Sequence, residues 1–319
     1  MNMLLSIEKL QIAFGAFIPV RDVTISVDRG EILGLVGESG SGKSLTATAI
    51  MGLLGYVGGR IAGGRVLFDG SDITGLPEEG MRRLRGSRIS LITQNPMTSL
   101  DPMVPVGRQI EQAARLHLGL DGKAAFAKAL ELMKDVRIPD PQRVHRLYPH
   151  QLSGGMKQRI VIAMALAGEP DLLIADEPTT ALDATVQAQI IRILVELVRR
   201  RGLAMILITH DMGVVAQTCD HVAVMYCGRI VERAPVRSIF AAARHPYTEA
   251  LIRCIPRSDM QRGSLLGIPG MVPSMAALPP GCNFHPRCAR AQPVCGEGVP
   301  EFRQCGNHAG VACHLVESI

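Results

Sequence analysis

The sequence predicts an α/β fold, a mostly parallel sheet wound with helices, followed by a smaller loop-rich, cysteine-containing unit. Three observations carry that expectation. Short apolar runs that suit buried strands recur over about the first 240 residues, with helical segments between most of them. Between about residues 95 and 160 the strand signal vanishes, so a helical subdomain is expected there, inserted into the core. Beyond about residue 240 the composition shifts, with Pro and Gly frequent from Ile268 to Pro300 and no periodicity.

Taken in order, residues 4–36 read as β-structure. Val23, Ile25 and Val27 alternate with Thr24 and Ser26, the period of a half-buried strand, whereas Ile32–Val36 is apolar on both faces. Lys43–Leu54 has helical composition, and Val66–Phe68 reads as a further strand. Later strands are expected at Ile89–Thr93, Leu172–Ala175, Ala204–Ile208 and His221–Met225, and a helix at Ala124–Val136, rich in Ala, Leu and Lys.

The bulk properties exclude several classes. At 319 residues the chain is 47% apolar and 20% charged, enough for a sizeable core and unlike a disordered protein. The net charge of +5 is modest and reads as a solvated basic face. The first residues lack the basic and apolar regions of a signal peptide, and no apolar run reaches the roughly 20 residues that span a bilayer. These features predict a cytoplasmic protein that reaches a membrane only through partners. Five of the eight cysteines fall after residue 281, which in a reducing cytosol argues for metal ligation over disulfides.

Three segments carry chemistry. Gly37–Ser44, Gly-Glu-Ser-Gly-Ser-Gly-Lys-Ser, follows a buried strand and opens a helix, the context of a phosphate cradle. Its glycines (Gly37, Gly40 and Gly42) let backbone N–H groups turn onto phosphates beside Ser39, and the helix N-terminus adds partial positive charge. Lys43 would reach the β- and γ-phosphates, and the Ser44 hydroxyl would bind Mg²⁺. Asp176 and Glu177 end an apolar strand, where such sheets bind ligands, so Asp176 suits Mg²⁺ and Glu177 the general base on an attacking water. Ser153, Gly154 and Gly155 open a helix about twenty residues earlier, with Met156, Ile160 and Met164 expected on its one packed face; the motif suits an anion site or an ordinary Ser N-cap.

Together these segments closely resemble the ABC ATPase family. The matching motifs are Walker A at Gly37–Ser44, the Q-loop at Gln94, the signature at Leu152–Gly155, Walker B at Asp176 and Glu177, the D-loop at Ala181–Asp183 and the H-loop at His210. The resemblance covers about residues 3–240 and implies a P-loop NTPase core of ABC type, with an antiparallel β-subdomain beside the parallel sheet. It implies two subunits facing head to tail, ATP lying between the Walker residues of one and the signature of the other. Gln94 would touch Mg²⁺ and the lytic water, and His210 would sense the γ-phosphate; each alone reads as a structural residue. An aromatic residue ahead of Walker A would stack on adenine, with Phe14 the best match and Phe17 the reserve.

The tail resembles the dipeptide/oligopeptide/nickel importer branch, through His245–Leu251, Gly267–Pro273, Pro279–Cys288 and the stretch Gln94–Pro102. The resemblance implies an ABC ATPase domain over residues 1–240 and a transporter-type C-terminal region over 241–319. It also implies a second, homologous ATPase chain, two transmembrane permease subunits, an extracytoplasmic binding protein and a place on the cytoplasmic face of the inner membrane. The cargo could be dipeptides, oligopeptides, nickel or another small solute. Cys282, Cys288, Cys295 and Cys313 have neither zinc-finger nor compact ferredoxin spacing, so chemistry alone leaves iron–sulfur, Zn²⁺ and unliganded thiols open. The resemblance favours a [4Fe–4S] cluster, with Cys305 a fifth candidate. A soluble ABC ATPase acting on nucleic acid is the rival class, but long coiled-coil insertions and tandem ATPase units are absent, and 3% aromatic residues offer few stacking platforms. No nucleic-acid partner is expected.

Overall fold

The computed structural model describes residues 3–180, 182–255, 267–306 and 308–316. Two compact units divide the chain. One holds Val27–Glu31 and Gly75–Leu207 with the first four residues; the other holds Leu5–Ser26, Ile32–Thr74 and Ile208–Ile319.

In the first unit the strands Ile89–Ile92 and Leu172–Asp176 pair in parallel, with Ile92 opposite Ala175. Leu172 to Ala175 are buried on both faces, which is why this stretch is apolar without alternation. Among the described residues no strand lies between Ile92 and Leu172. Helices fill that interval, as the sequence predicts. Val106–Leu118 stops at Gly119 in the left-handed conformation, and Asp121 caps Gly122–Asp135 by accepting from the Ala124 amide at 2.7 Å. Ala125, Ala129, Leu132 and Met133 form its buried face at helical spacing.

The helix Gly154–Ala165 departs from the amphipathic pattern expected of it. It packs against Val106–Leu118, Gly122–Asp135, Ala184–Arg201 and the strand Ile89–Ile92, so it is buried nearly all round. Met156 and Met164, expected on the packed face, are only half-buried. Ala184–Arg201 is the longest helix described, ended by Gly202, with Arg199, Arg200 and Arg201 in its last turn, where cations offset the dipole.

The second unit contains two sheets. An antiparallel sheet runs in the order Phe17–Asp28, Met3–Phe14, Arg60–Phe68, Ser71–Asp72, with Leu5 opposite Phe68 and Ile7 opposite Val66. The strand expected at Val66–Phe68 is thus the end of a longer one. Ile32–Val36 pairs in parallel with His221–Tyr226, and the latter turns back at Cys227 and Gly228 into Arg229–Pro235. Both turn residues have positive φ, 43° and 80°, the handedness that a two-residue hairpin needs. The predicted helix at 43–54 is shorter, Lys43–Ile50, because Gly52 takes φ 63° and a 3₁₀ turn, Leu54–Val57, follows.

The chain's last residues join this unit's sheet. Gly310–Val311 pairs with Arg229–Pro235, and Arg303–Gln304 pairs with Gly310–Val311. The remainder of the tail is loop-rich, as its Pro and Gly content predicts. Its anchor is an aromatic knot in which Tyr226, Tyr247 and Phe284 stack within 4.5–5.3 Å of one another. These rings belong to a larger buried cluster that also takes in Val236 and Ile239, with Ile268, Val272 and Leu278 of the tail packed against it.

His245 sits under this knot, 1% exposed. Its Nδ1 accepts from the Tyr247 amide at 3.0 Å and so caps Pro246–Arg253. Burial, with a smaller contribution from the Arg290 charge, lowers its pKa to about 3. The unfolded chain therefore takes up a proton at this residue near pH 6.5 that the folded chain refuses. Its contribution to stability is complete above pH 6.5 and is lost on acidification, by about 1.4 kcal/mol per pH unit down toward pH 3. Thermal melts from pH 7 to pH 5 are expected to show a smaller loss in His245→Asn, which keeps a capping side chain, than in the wild type.

Candidate functional site

The phosphate loop lies in the second unit, between Ile32–Val36 and the helix Lys43–Ile50. Two of its glycines are dictated by the neighbouring strand. Gly37 has φ 155°, and a Cβ there would stand 2.1 Å from the Met225 carbonyl oxygen. Gly42 has φ 105°, and its Cβ would meet Met225 Cε at 2.7 Å and Val20 Cγ2 at 3.0 Å. Only glycine permits that conformation and that approach.

The side chains of the loop divide by exposure. Ser39, Gly40 and Ser44 face solvent, while Ser41 and Lys43 are buried. Lys43 Nζ donates to the carbonyls of Gly37 and Glu38 at 2.7 and 3.0 Å, and to Ser41 Oγ at 3.4 Å. Phe14 is half-buried, its ring against Gly59, where a Cβ would lie 2.8 Å from Cζ; Phe17 is exposed. His210 is exposed and immediately precedes Asp211, whose carboxylate caps the helix Met212–Thr218 through the amides of Gly213 and Val214.

The first unit assembles the other half of the expected residues. Asp176 ends its strand, half-buried, and Glu177 follows with φ 45°, a left-handed conformation that is costly for a side chain of this size. Just past the paired strand ends at Ile92 and Ala175, the side chains of Gln94 and Glu177 meet. Gln94 Nε2 donates to Glu177 Oε2 at 3.1 Å, and Thr180 Oγ1 donates to the same oxygen at 2.7 Å. Two residues read from separate motifs thus meet at one carboxylate. Thr180 was not legible as a partner, because nothing in the sequence fixes the tight turn that returns it to Glu177.

Ser153 and Asp183 cap neighbouring helices. Ser153 Oγ accepts from the Met156 amide at 3.3 Å, and Asp183 Oδ1 from the Val186 amide at 3.0 Å. The two helix starts approach so closely that a Cβ on Gly155 would meet Val186 Cγ1 at 2.7 Å, and one on Gly154 would meet Leu182 Cδ2 at 3.3 Å. The signature glycines therefore keep two N-termini together, both exposed, and the Ser153 end, capped by a neutral hydroxyl, is the one whose charge suits an anion. Ala181, also read as part of the D-loop, lies outside the described residues.

The tail cysteines need a correction. Cys282, Cys288, Cys295 and Cys313 share the second unit, and the Cys282 amide donates to the Cys295 carbonyl at 2.8 Å. Among the described residues, however, no group of three or more His, Cys, Asp or Glu side chains is placed to hold a metal ion. An assembled zinc-type site is not what the side chains form. Burial foremost pushes the Cys282 and Cys313 thiols up, with Cys295 adding to both, Cys313 to the first and Cys288 to the second. Cys305 Sγ turns away to the Arg303 carbonyl at 3.6 Å.

Residues 20–180 match the family described as ABC transporter. The oligopeptide transport ATP-binding protein OppD of Salmonella typhimurium is 47% identical over 303 residues, covering 94% of this chain and 90% of that protein. The chain belongs to the ABC transporter family. It carries that family's ATPase domain. Residues 231–295 further match the family described as the oligopeptide/dipeptide transporter C-terminal region. The dipeptide transport ATP-binding protein DppD of Escherichia coli is 44% identical over 315 residues, covering 98% of this chain and 96% of that protein. Among solved structures, the dimeric ATP-binding cassette MJ0796 in a post-hydrolysis state, bound to ADP and Pi, matches with a TM-score of 0.65 at 25% identity. That match covers 73% of this chain and 99% of the cassette.

The close approach at Gly37 makes a direct test. Gly37→Ala must either move the Met225 strand or distort the loop, at a cost of roughly 1–3 kcal/mol. Its melting temperature is expected to fall by several degrees and its ATP binding to be lost, as read by thermal unfolding and nucleotide titration.

Proposed function

We propose that this chain is the ATP-hydrolysing subunit of a peptide importer of the ABC family. The observation that carries the chemistry is the Glu177 carboxylate at the end of a buried strand, oriented by Gln94 and Thr180. In this reading Lys43 exchanges its loop carbonyls for phosphate oxygens, and the N–H groups from Gly37 to Ser44 cradle the same phosphates. Glu177 takes the proton of the attacking water, with Gln94 beside it and His210 contacting the γ-phosphate. Ser44, Gln94 and Asp176 offer oxygen donors, which suit Mg²⁺, and the ion would neutralise phosphate charge there.

The paired helix N-termini at Ser153 and Asp183 support a composite site, in which Ser153–Gly155 face the nucleotide held by a second, homologous ATPase chain. Phe14 is the proposed adenine platform. Among the described residues no helix is long and apolar enough to cross a membrane, so two permease subunits supply the passage and a binding protein delivers the cargo. The chain then sits peripherally at the cytoplasmic face of the inner membrane. Peptides as cargo are supported by the names of the relatives, OppD and DppD among them, and by the C-terminal match. The division at about residue 240, into ATPase domain and transporter-type tail, belongs to the same proposal.

Support for a [4Fe–4S] cluster on the tail cysteines comes from the family resemblance and from four thiols being the donor set of such a cluster; among the described residues no group of three or more ligating side chains is placed to hold a metal ion. The purified protein is expected to be brown, with iron and sulfide in equal amounts, and a colourless protein carrying zinc would overturn this assignment. For the reaction itself, Glu177→Gln is expected to bind ATP as the wild type does while turnover falls by about 10²-fold or more. Hydrolysis at the wild-type rate in that variant would remove Glu177 as the base.

A further inference from the structure

The phosphate loop is also gripped by the chain's last third, through contacts that the ATP reading does not use. Glu38, the loop's second residue, donates its backbone N–H to Tyr247 Oη at 2.9 Å. Its carboxylate receives both terminal nitrogens of Arg287, Nη1 at 2.7 Å and Nη2 at 3.1 Å. This is the bidentate fork that gives an arginine–carboxylate pair both strength and direction.

Arg287 is committed to that grip. Nη1 also donates to Tyr226 Oη at 3.2 Å, Nη2 to the Ile268 carbonyl at 3.3 Å, and Nε to the Pro269 carbonyl at 3.0 Å. A guanidinium has five N–H donors, and here five acceptors meet them. The Arg287 side chain is only 4% exposed, against 27% for Glu38. The rings of Tyr226 and Phe284 lie 5.9 and 6.0 Å from the guanidinium carbon, within cation–π range. The Glu38 contact holds the Arg287 charge well above the ordinary range, and burial pushes the Tyr226 hydroxyl to about 12, so both keep their protonation across neutral pH. All of these residues belong to the second unit.

Glu38 is thereby fixed at both its amide and its carboxylate, one residue after Gly37 and five before Lys43. Lys43 Nζ itself rests on the Glu38 carbonyl. Turning that peptide group would move a contact of the phosphate-binding lysine. We propose that Arg287 is a positioning residue for nucleotide binding: through Glu38 it sets the phosphate loop, so that the C-terminal region governs ATP affinity. The proposal rests on the ATP reading above and goes beyond it by giving the tail a part in the ATPase.

The test is a double-mutant cycle on the full-length protein, with MgATP affinity, KM and kcat measured for Arg287→Gln, Glu38→Gln and the pair. Each single variant is expected to weaken ATP affinity and raise KM about tenfold with kcat within about twofold, and the pair to be no worse than either alone. Arg287→Lys keeps the charge but not the fork, and is expected to fall between. Wild-type affinity in the single variants, or strictly additive losses in the pair, would overturn the proposal. Should Arg287→Gln fail to fold, Glu38→Gln at the more exposed end decides alone, a raised KM supporting the proposal and an unchanged one overturning it. Lys43→Ala separates the two readings. Loss of ATP binding there, beside unchanged binding in the Arg287 variants, overturns only the role of Arg287; a wild type that binds no ATP overturns both.

Discussion

The approach of the Met225 carbonyl to Gly37 is the constraint on which the candidate site depends. A side chain at Gly37 would occupy the space that the strand His221–Tyr226 takes, and so would one at Gly42. The loop is therefore shaped from below by a strand nearly 190 residues away in sequence. The same strand contributes Tyr226, whose ring and hydroxyl meet the tail. Phosphate loop, strand and tail form one packed stack within their unit, and a change in any layer is felt in the next.

In the first unit a similar economy holds. One pair of parallel strands ends just before Gln94 and Glu177 and brings their side chains together, and one pair of glycines lets two capped helices stand side by side. Ser153 and Asp183 serve as N-caps within the chain, while the exposed helix start at Ser153 is also what an anion would meet. The structural and the functional readings of these residues therefore do not compete. A cap that stabilises a helix also orients its N–H groups.

Much of this was legible in the sequence. Buried strands announce themselves by unbroken apolar runs, and the phosphate loop by its spacing between strand and helix. The helical interval was visible because its periodicity is local. What escaped depends on contacts between distant segments. Thr180 reaches Glu177 through a tight turn around a residue with φ 45°, and no local pattern requires it. Arg287 reads as one more charged residue in a Pro- and Gly-rich tail, because its five acceptors come from three separate stretches of chain. The cysteines show the reverse case, where clustering after residue 281 and the family resemblance invited a metal, and among the described residues no group of three or more ligating side chains is placed to hold a metal ion. The helix Gly154–Ala165, buried nearly all round, was misread as one-faced because it carries Lys157 and Gln158 into the interior.

ATP hydrolysis by this chain is proposed to be coupled to peptide uptake through membrane partners. The most direct test of that coupling is MgATP hydrolysis by the chain reconstituted in vesicles with its permease and second ATPase subunits, with and without a peptide-loaded binding protein. The account predicts that the loaded binding protein raises hydrolysis and that the empty one does so far less. Hydrolysis that ignores both, and rises instead when nucleic acid is added, would contradict it.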